Sequence, residues 1–366
     1  MHKTDAWLVV AAVGLLLLGL LMVSSASIVI SERQYHSAFH YLWRQVAYLG
    51  LGVIGGYIVL KIPTEKLEYF SPILLMFAVI SLILVLIPGL GREVNGSSRW
   101  LGFGFISIQV SEVAKLFVVL YMAGYLNRHF DTVRKSLTSF IKPMAILGVF
   151  AVLLLLEPDF GSTVVLSATV LGMLFLAGVR LRIFVIIMLV AIALLALLAI
   201  SSPYRLARLT TFINPWQHQY GSGYQLTQSL IAFGRGGISG VGLGNSIQKW
   251  FYLPEAHTDF LFAVLAEELG LVGILAVLLL FGLLVYRGFM IGRAAFKKER
   301  FFNAYSAYGF SLWIALQALI NMGVNAGLLP TKGLTLPFMS YGGSSLLVMC
   351  VVLAILLRID FENKFR

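Results

Sequence analysis

The charged side chains of this chain sit in a few short polar stretches between long apolar runs, and the densest stretch is PEAHTDF, Pro254 to Phe260. It places Glu255, His257, Thr258 and Asp259 where a new hydrophobic run begins. A carboxylate at such a boundary is costly unless a partner or a task holds it there. What such a group can do is move a proton or hold a hard cation such as Mg²⁺ or Mn²⁺. His257 stands alone, without the second histidine at helical spacing that zinc would need, and reads as a hydrogen-bonding neighbour of the carboxylates.

Three other stretches could join it. In QVSEVAK, 109–115, Glu112 and Lys115 are three apart, so they share one helix face and can pair. They are either an ion pair that knits a bundle or the polar floor of a site; burying them costs energy in both cases. In EPDFGS, 157–162, the apolar run stops at Glu157, Pro158 breaks the helix and Gly161 permits a tight turn. Asp159 then either caps the following helix or joins Glu112, Glu157, Glu255 and Asp259 in one carboxylate cluster. In PTKGLTLPFMSYGGSS, 330–345, two prolines and repeated glycines exclude a regular helix. A lone loop lysine is ordinarily just solvated, but beside a cavity Lys332, with Arg99, would suit a diphosphate.

A glycine-rich run, Gly234 to Gly244, contains Arg235. No strand precedes it, so it is not a nucleotide loop. It either brings backbone N–H groups and Arg235 to a phosphate, or forms a hinge or re-entrant segment. Glu267 and Glu268, deeper in the next apolar run, either face a water-filled groove or close off internal polar contacts.

The elements that must position these groups follow from composition. The chain has 366 residues, 59% of them hydrophobic and only 12% charged. Apolar runs of about 20 residues recur, which marks an all-α integral membrane protein. Ten spans are expected, at 7–27, 45–62, 69–89, 106–126, 140–156, 160–178, 182–201, 258–286, 303–326 and 338–358. The long connection between the seventh and eighth, about 202–257, is extracytoplasmic in this topology, and 1–366 reads as one polytopic domain. The first run is too long for a signal peptide and is expected to remain as an anchor. With the N-terminus inside, 17 Lys and Arg fall on the cytoplasmic side and nine outside, so both termini are expected to be cytoplasmic. The net charge of +11 then reflects anchoring to anionic lipid, not nucleic-acid binding. Cys350 is the single cysteine and offers neither a disulfide nor a metal-site spacing.

Six motifs, NGSSRWL at 95–101, QVSEVAK at 109–115, EPDFGS at 157–162, GSGYQLTQSLIAFGRG at 221–236, LPEAHTDF at 253–260 and PTKGLTLPFMSYGGSS at 330–345, together resemble the SEDS family (shape, elongation, division and sporulation) over nearly the whole chain. LPEAHTDF and NSIQK resemble the division branch more than the elongation branch. The resemblance implies a glycosyltransferase that polymerises peptidoglycan from lipid II at the outer face of the cytoplasmic membrane, at the division septum. It implies Asp259 as the catalytic acidic residue, supported by Glu112, Lys115, Asp159 and a serine among Ser340, Ser344 and Ser345. Partial desolvation would suit Asp259 to the role of general base. Arg99, Arg235, Lys332 or a divalent cation on Asp159 or Asp259 would stabilise the leaving diphosphate, with no organic cofactor. Expected partners are lipid II, the nascent glycan strand, membrane lipid, a class B penicillin-binding transpeptidase and other divisome proteins. The rival reading is a lipid II flippase or other transporter, which would set coupling charges near the midplane in two related halves. Here the ionisable groups gather toward one face and no internal repeat is evident.

Overall fold

A helix lies over each of the ten apolar stretches. In this computed structural model, which describes residues 5–94, 97–103, 106–130, 132, 138–179, 181–200, 211–331 and 333–365, they are α1 (Ala6–Tyr35), α2 (His40–Leu60), α3 (Thr64–Leu86), α4 (Val110–Arg128), α5 (Thr138–Leu156), α6 (Phe160–Leu176), α7 (Leu181–Ile200), α9 (Leu261–Lys297), α10 (Phe301–Asn325) and α11 (Gly343–Phe365). A further α-helix, α8 (Tyr224–Gly236), lies in the long connection before α9. Seven of these helices, α1 to α4 and α9 to α11, are long and apolar enough to cross a membrane, and the apolar parts of α5 and α6 are shorter. The protein is a multi-pass helical membrane protein.

Burial ranks the helices. The most apolar window of α4 is 83% buried, against 22% for α2 and 28% for α3, so α4 is the central post and the early helices form the rim. Helices α3, α6, α10 and α11 pack around α4, while α2 lies along α11 and α1 along α9. The α2–α11 approach is close because Gly52 and Gly56 present no side chain to Cys350 and Ala354.

The expectation of a purely helical chain needs correction. Between α3 and α4 the backbone forms a three-stranded antiparallel sheet in the order β1 (Gly91–Val94), β2 (Ser97–Phe103), β3 (Ile106–Gln109). Ile106 and Ile108 had been absorbed into the apolar run of the fourth span; their alternation with Ser107 and Gln109 is a strand period, and α4 starts only at Val110. Arg92, Trp100 and Gln109 stand opposite one another across the three strands and share a face.

Candidate active site

The polar stretches meet at one end of the bundle around a cavity of about 1180 Å³. Its wall draws on α1, α2, the sheet, α4, the α5–α6 turn and the segments that precede α9 and α11. The shared face of the sheet, Arg92, Trp100 and Gln109, forms one side.

Asp259 lines this cavity, half-buried, two residues before α9 begins. Its carbonyl is fixed by two amides from α10: Asn321 Nδ2 donates to it at 2.9 Å and Asn325 Nδ2 at 3.0 Å. Asn325 Oδ1 in turn accepts from the N–H of Ala263 at 3.1 Å, which ties the first turn of α9 to the same pair. Residues 330–336 pass close by: a Cβ on Gly333 would stand 3.2 Å from Asp259 Oδ2, so any larger residue there would crowd the carboxylate. Neither asparagine was singled out from the sequence. The signal was present, two amides four apart on one face of an apolar helix.

Glu112 forms part of the floor. Its Oε1 accepts from Lys115 Nζ at 2.8 Å, with both side chains almost wholly buried. Lys115 does not line the cavity; it also donates to Gln317 Oε1 at 2.9 Å and lies 4.9 Å from the ring centre of Trp313. Gln317 Nε2 passes the chain on to the carbonyl of Thr335 at 3.0 Å. Glu112 Oε2 has no hydrogen-bond partner among the described residues, although it is buried. The pair is thus both structural brace and floor.

Asp159 also serves two ends. It caps α6, its Oδ1 accepting from Ser162 N at 3.1 Å and its Oδ2 from Ser162 Oγ at 2.8 Å, and it lines the cavity. Arg99, on β2, reaches the turn before it: Nε donates to the carbonyl of Glu157 at 3.1 Å and Nη2 to that of Pro158 at 2.6 Å. Glu157 is buried behind the wall with neither carboxylate oxygen hydrogen-bonded among the described residues. Burial first, then the neighbouring Asp159 carboxylate, pushes its pKa up to about 8, against the pull of Arg99.

His257 lines the cavity from within an aromatic group, 4.8 Å from the ring of Tyr41 and 5.6 Å from that of Tyr341. Burial lowers its pKa, opposed by Glu255, which favours the neutral ring. Of the three serines, Ser345 lines the cavity and meets Thr335 Oγ1 at 3.2 Å. Ser340 and Ser344 do not line it: Ser340 Oγ accepts from Leu336 N, and Ser344 Oγ accepts from Gln109 N and donates to the carbonyl of Ser107. Lys332 lies outside the described residues. Two further cations on the wall, Arg44 of α2 and Arg92 of β1, were not singled out from the sequence. Each looks in the sequence like an ordinary boundary anchor at the end of an apolar run.

Arg235 is not brought to the cavity. It pairs with Glu267 at 2.9 Å. Glu267 and Glu268, fully buried, face neither a groove nor water; they hold the loop that follows α8. Glu267 accepts from Ser246 Oγ and from the N–H groups of Ile247 and Gln248, and Glu268 accepts from Ser25 Oγ, Ser246 N and Lys249 Nζ. The loop can approach α9 this closely because Gly240 and Gly270, both at positive φ, carry no Cβ at the contact.

A divalent cation finds no cage made by protein alone, since no group of three or more His, Cys, Asp or Glu is gathered among the described residues. Asp159 and Asp259 both line the cavity, and both Asp159 oxygens are engaged by Ser162. One carboxylate plus substrate phosphate oxygens is a donor set that Mg²⁺ and Mn²⁺ accept, so Asp259 fits a cation that arrives with a diphosphate.

Comparison with known proteins agrees across the chain. The model of a cell cycle protein family that joins FtsW, RodA and SpoVE matches residues 6–365. A probable peptidoglycan glycosyltransferase FtsW of Legionella pneumophila is 59% identical over 362 residues, 99% of this chain and 92% of its own length. The corresponding protein of Coxiella burnetii is 56% identical over 360 residues, 98% of this chain and 97% of its own. Among solved structures, a chain from a peptidoglycan synthase complex that coordinates polymerization and crosslinking superposes with a TM-score of 0.84 at 28% identity, covering 100% of both chains. The rod shape determining protein RodA of Thermus thermophilus superposes with a TM-score of 0.74 at 27% identity, over 100% of this chain and 99% of its own. With a match over its whole membrane bundle and close relatives along its full length, this chain belongs to the FtsW/RodA/SpoVE family, the SEDS proteins that its motifs resemble.

Proposed function

We propose that this protein is a peptidoglycan glycosyltransferase that polymerises glycan strands from lipid II during septal wall synthesis. The observation that carries the reading is the half-buried Asp259, its backbone carbonyl held by Asn321 and Asn325, on a cavity that also gathers Glu112, Asp159, Arg44 and Arg92. A cavity lined by both carboxylates and cations suits a reaction that removes a proton from an acceptor and stabilises an anionic leaving group.

The chemistry is one displacement. Asp259 takes the proton of the acceptor sugar hydroxyl as its oxygen attacks the anomeric carbon of the donor chain. The bond from that carbon to the diphosphate breaks, and undecaprenyl diphosphate leaves with the electron pair. An α-linked diphosphate becomes a β-1,4 bond, so the carbon inverts and no covalent enzyme intermediate is needed. Arg44 and Arg92, and Lys332 by its place in the sequence, receive the diphosphate charge as it develops. Glu112 Oε2 accepts a hydroxyl or amide hydrogen of the sugar, which would give this buried oxygen the partner that the described residues do not supply. A divalent cation, when bound by Asp259 and the diphosphate oxygens, would supply further charge neutralisation.

Ten helices cross the membrane in this reading, with both termini cytoplasmic and the cavity outward, because 17 Lys and Arg fall on the cytoplasmic side against nine on the other. A class B penicillin-binding transpeptidase and other divisome proteins complete the septal machine; the structural relative from a synthase complex supports such a partnership. The test is polymerisation of purified lipid II by this protein with its transpeptidase, run beside a vesicle assay for movement of fluorescent lipid II. Polymer without transport is expected; transport without polymer would replace the enzyme reading with the flippase one.

A further inference from the structure

The connection between α8 and α9 does not lie on top of the bundle. Glu267 and Glu268, which hold Ser246 to Lys249, are six and seven residues into α9, about 10 Å along its axis at 1.5 Å per residue. Deeper still, the N–H groups of Leu271 and Val272 donate to the carbonyls of Gly237 and Ile238 at 3.0 and 3.2 Å, about 15 Å from the start of the helix. From the other side, Ser25 meets Glu268 and Lys249 from a point ten residues before the end of α1, again about 15 Å down. Irregular backbone survives at such depth only where its polar groups are satisfied, and these contacts satisfy them.

Most of the side chains that this segment turns away from the protein are apolar, with Ser239 and Asn245 the polar ones among them. Ile238 is 75% exposed and Trp250 60%, with Leu243 and Ile247 about half exposed between them. Phe251 and Tyr252 follow, also exposed, and aromatic side chains are those favoured at a membrane–water boundary. Between the segment and α1 runs a groove of about 380 Å³, walled mainly by Leu21, Ile28, Val29, Leu243 and Trp250, with Ser24, Ser25 and Lys249 also on its wall. It continues the outward stripe of α1 formed by Val10, Val13 and Leu17. At 3.6 residues per turn, Leu21, Ser25 and Ile28 stand on the opposite side of α1 from Ile30 and Gln34, which line the large cavity. The groove is therefore separate from the site of the reaction and open to the surrounding bilayer.

We propose that residues 237–252 form a re-entrant loop in the cavity-side leaflet, and that the groove between this loop and α1 seats an acyl chain of a bilayer phospholipid. The inference rests on the membrane embedding of the bundle and is independent of the reaction assigned to the cavity. The loop leads within a few residues into Pro254–Asp259, the segment that carries the catalytic carboxylate.

The test uses the full chain with Cys350→Ala, carrying Leu243→Cys or, as an independent second position, Ile238→Cys. Each is labelled with a nitroxide in phosphatidylethanolamine–phosphatidylglycerol vesicles and probed with oxygen and with a water-soluble nickel chelate. Tyr220→Cys, at a highly exposed position before α8, serves as the comparison. The proposal expects oxygen, which partitions into hydrocarbon, to relax the labels at 238 and 243 far more than nickel does. Strong relaxation by nickel would place the loop in water and overturn it. Protection from both probes would mean that protein covers the surface, and would overturn it equally. For the groove itself, native mass spectra should show a retained phospholipid that Ser24→Trp displaces; equal retention by both proteins would remove the acyl-chain site.

Discussion

Replacing Lys115 with methionine separates the two roles of the Glu112–Lys115 pair. Lys115→Met keeps an unbranched chain against Trp313 but removes the ammonium that serves both Glu112 Oε1 and Gln317 Oε1. Glu112, 3% exposed and with no partner for Oε2 among the described residues, is then left as an uncompensated buried charge. Breaking a buried pair in this way costs about 3–5 kcal/mol. Adding Glu112→Gln removes the stranded charge, and neutral replacements of a whole pair are close to neutral in stability. The single variant should therefore unfold well before the native protein in detergent, followed by intrinsic fluorescence, while Glu112→Gln with Lys115→Met should unfold near it. Polymerisation should not follow stability. The double variant regains its fold but not its activity, because the Glu112 carboxylate itself lines the cavity. Lys115→Met within about 1 kcal/mol of native would refute the buried-pair reasoning, since that is the scale of a solvent-exposed pair. Native polymerisation by the double variant would reduce the pair to a brace.

Glu157 gives a pH signature. Its pKa of about 8 lies above the ordinary 4.5, so folding favours the protonated form. That contribution is fully present below pH 4.5 and is lost as pH rises toward 8. Glu157→Gln should flatten the fall in melting temperature across that window; an unchanged profile would show that Glu157 is not held neutral. Arg99→Lys cannot span the carbonyls of Glu157 and Pro158, and a hydrogen bond from a charged donor is worth about 1.5–3 kcal/mol. If Arg99 only positions the turn that carries Asp159, kcat should fall about tenfold to a hundredfold with KM for lipid II little changed; a rise in KM alone would make Arg99 a diphosphate ligand. Arg44→Ala, by contrast, should raise KM and weaken binding of undecaprenyl diphosphate as a product inhibitor, and unchanged inhibition would remove Arg44 from the diphosphate site.

Much of this site could be read before any coordinates, for a physical reason. In a bilayer a polar residue must have a partner or a purpose, so Glu112, Asp159 and Asp259 announce themselves against their apolar surroundings. Helix positions followed from run length alone. What was hidden depends on pairing across distance. Strand β3 is four residues long and merges with the apolar start of α4, so only its register with Trp100 and Leu101 reveals it. The roles of Arg235 and Glu267 hinge on a contact between residues 32 apart, which no local pattern announces. Arg44 and Arg92 resemble boundary anchors until the cavity wall is closed around them. Asn321 and Asn325 were legible as a pair, but their target, the carbonyl of Asp259, was not.

The central claim is that Asp259 is the base of a polymerising transferase. Its most direct test is glycan polymerisation from purified lipid II by the native chain and by Asp259→Asn, with the transpeptidase present in both and equal folding confirmed by melting temperature. Asparagine keeps the shape and the backbone contacts to Asn321 and Asn325 but cannot take a proton. The account predicts a loss of about 10²–10⁴-fold in rate with the melting temperature unchanged. Equal polymer from both proteins would contradict it and move the search for the base to Asp159 or Glu112.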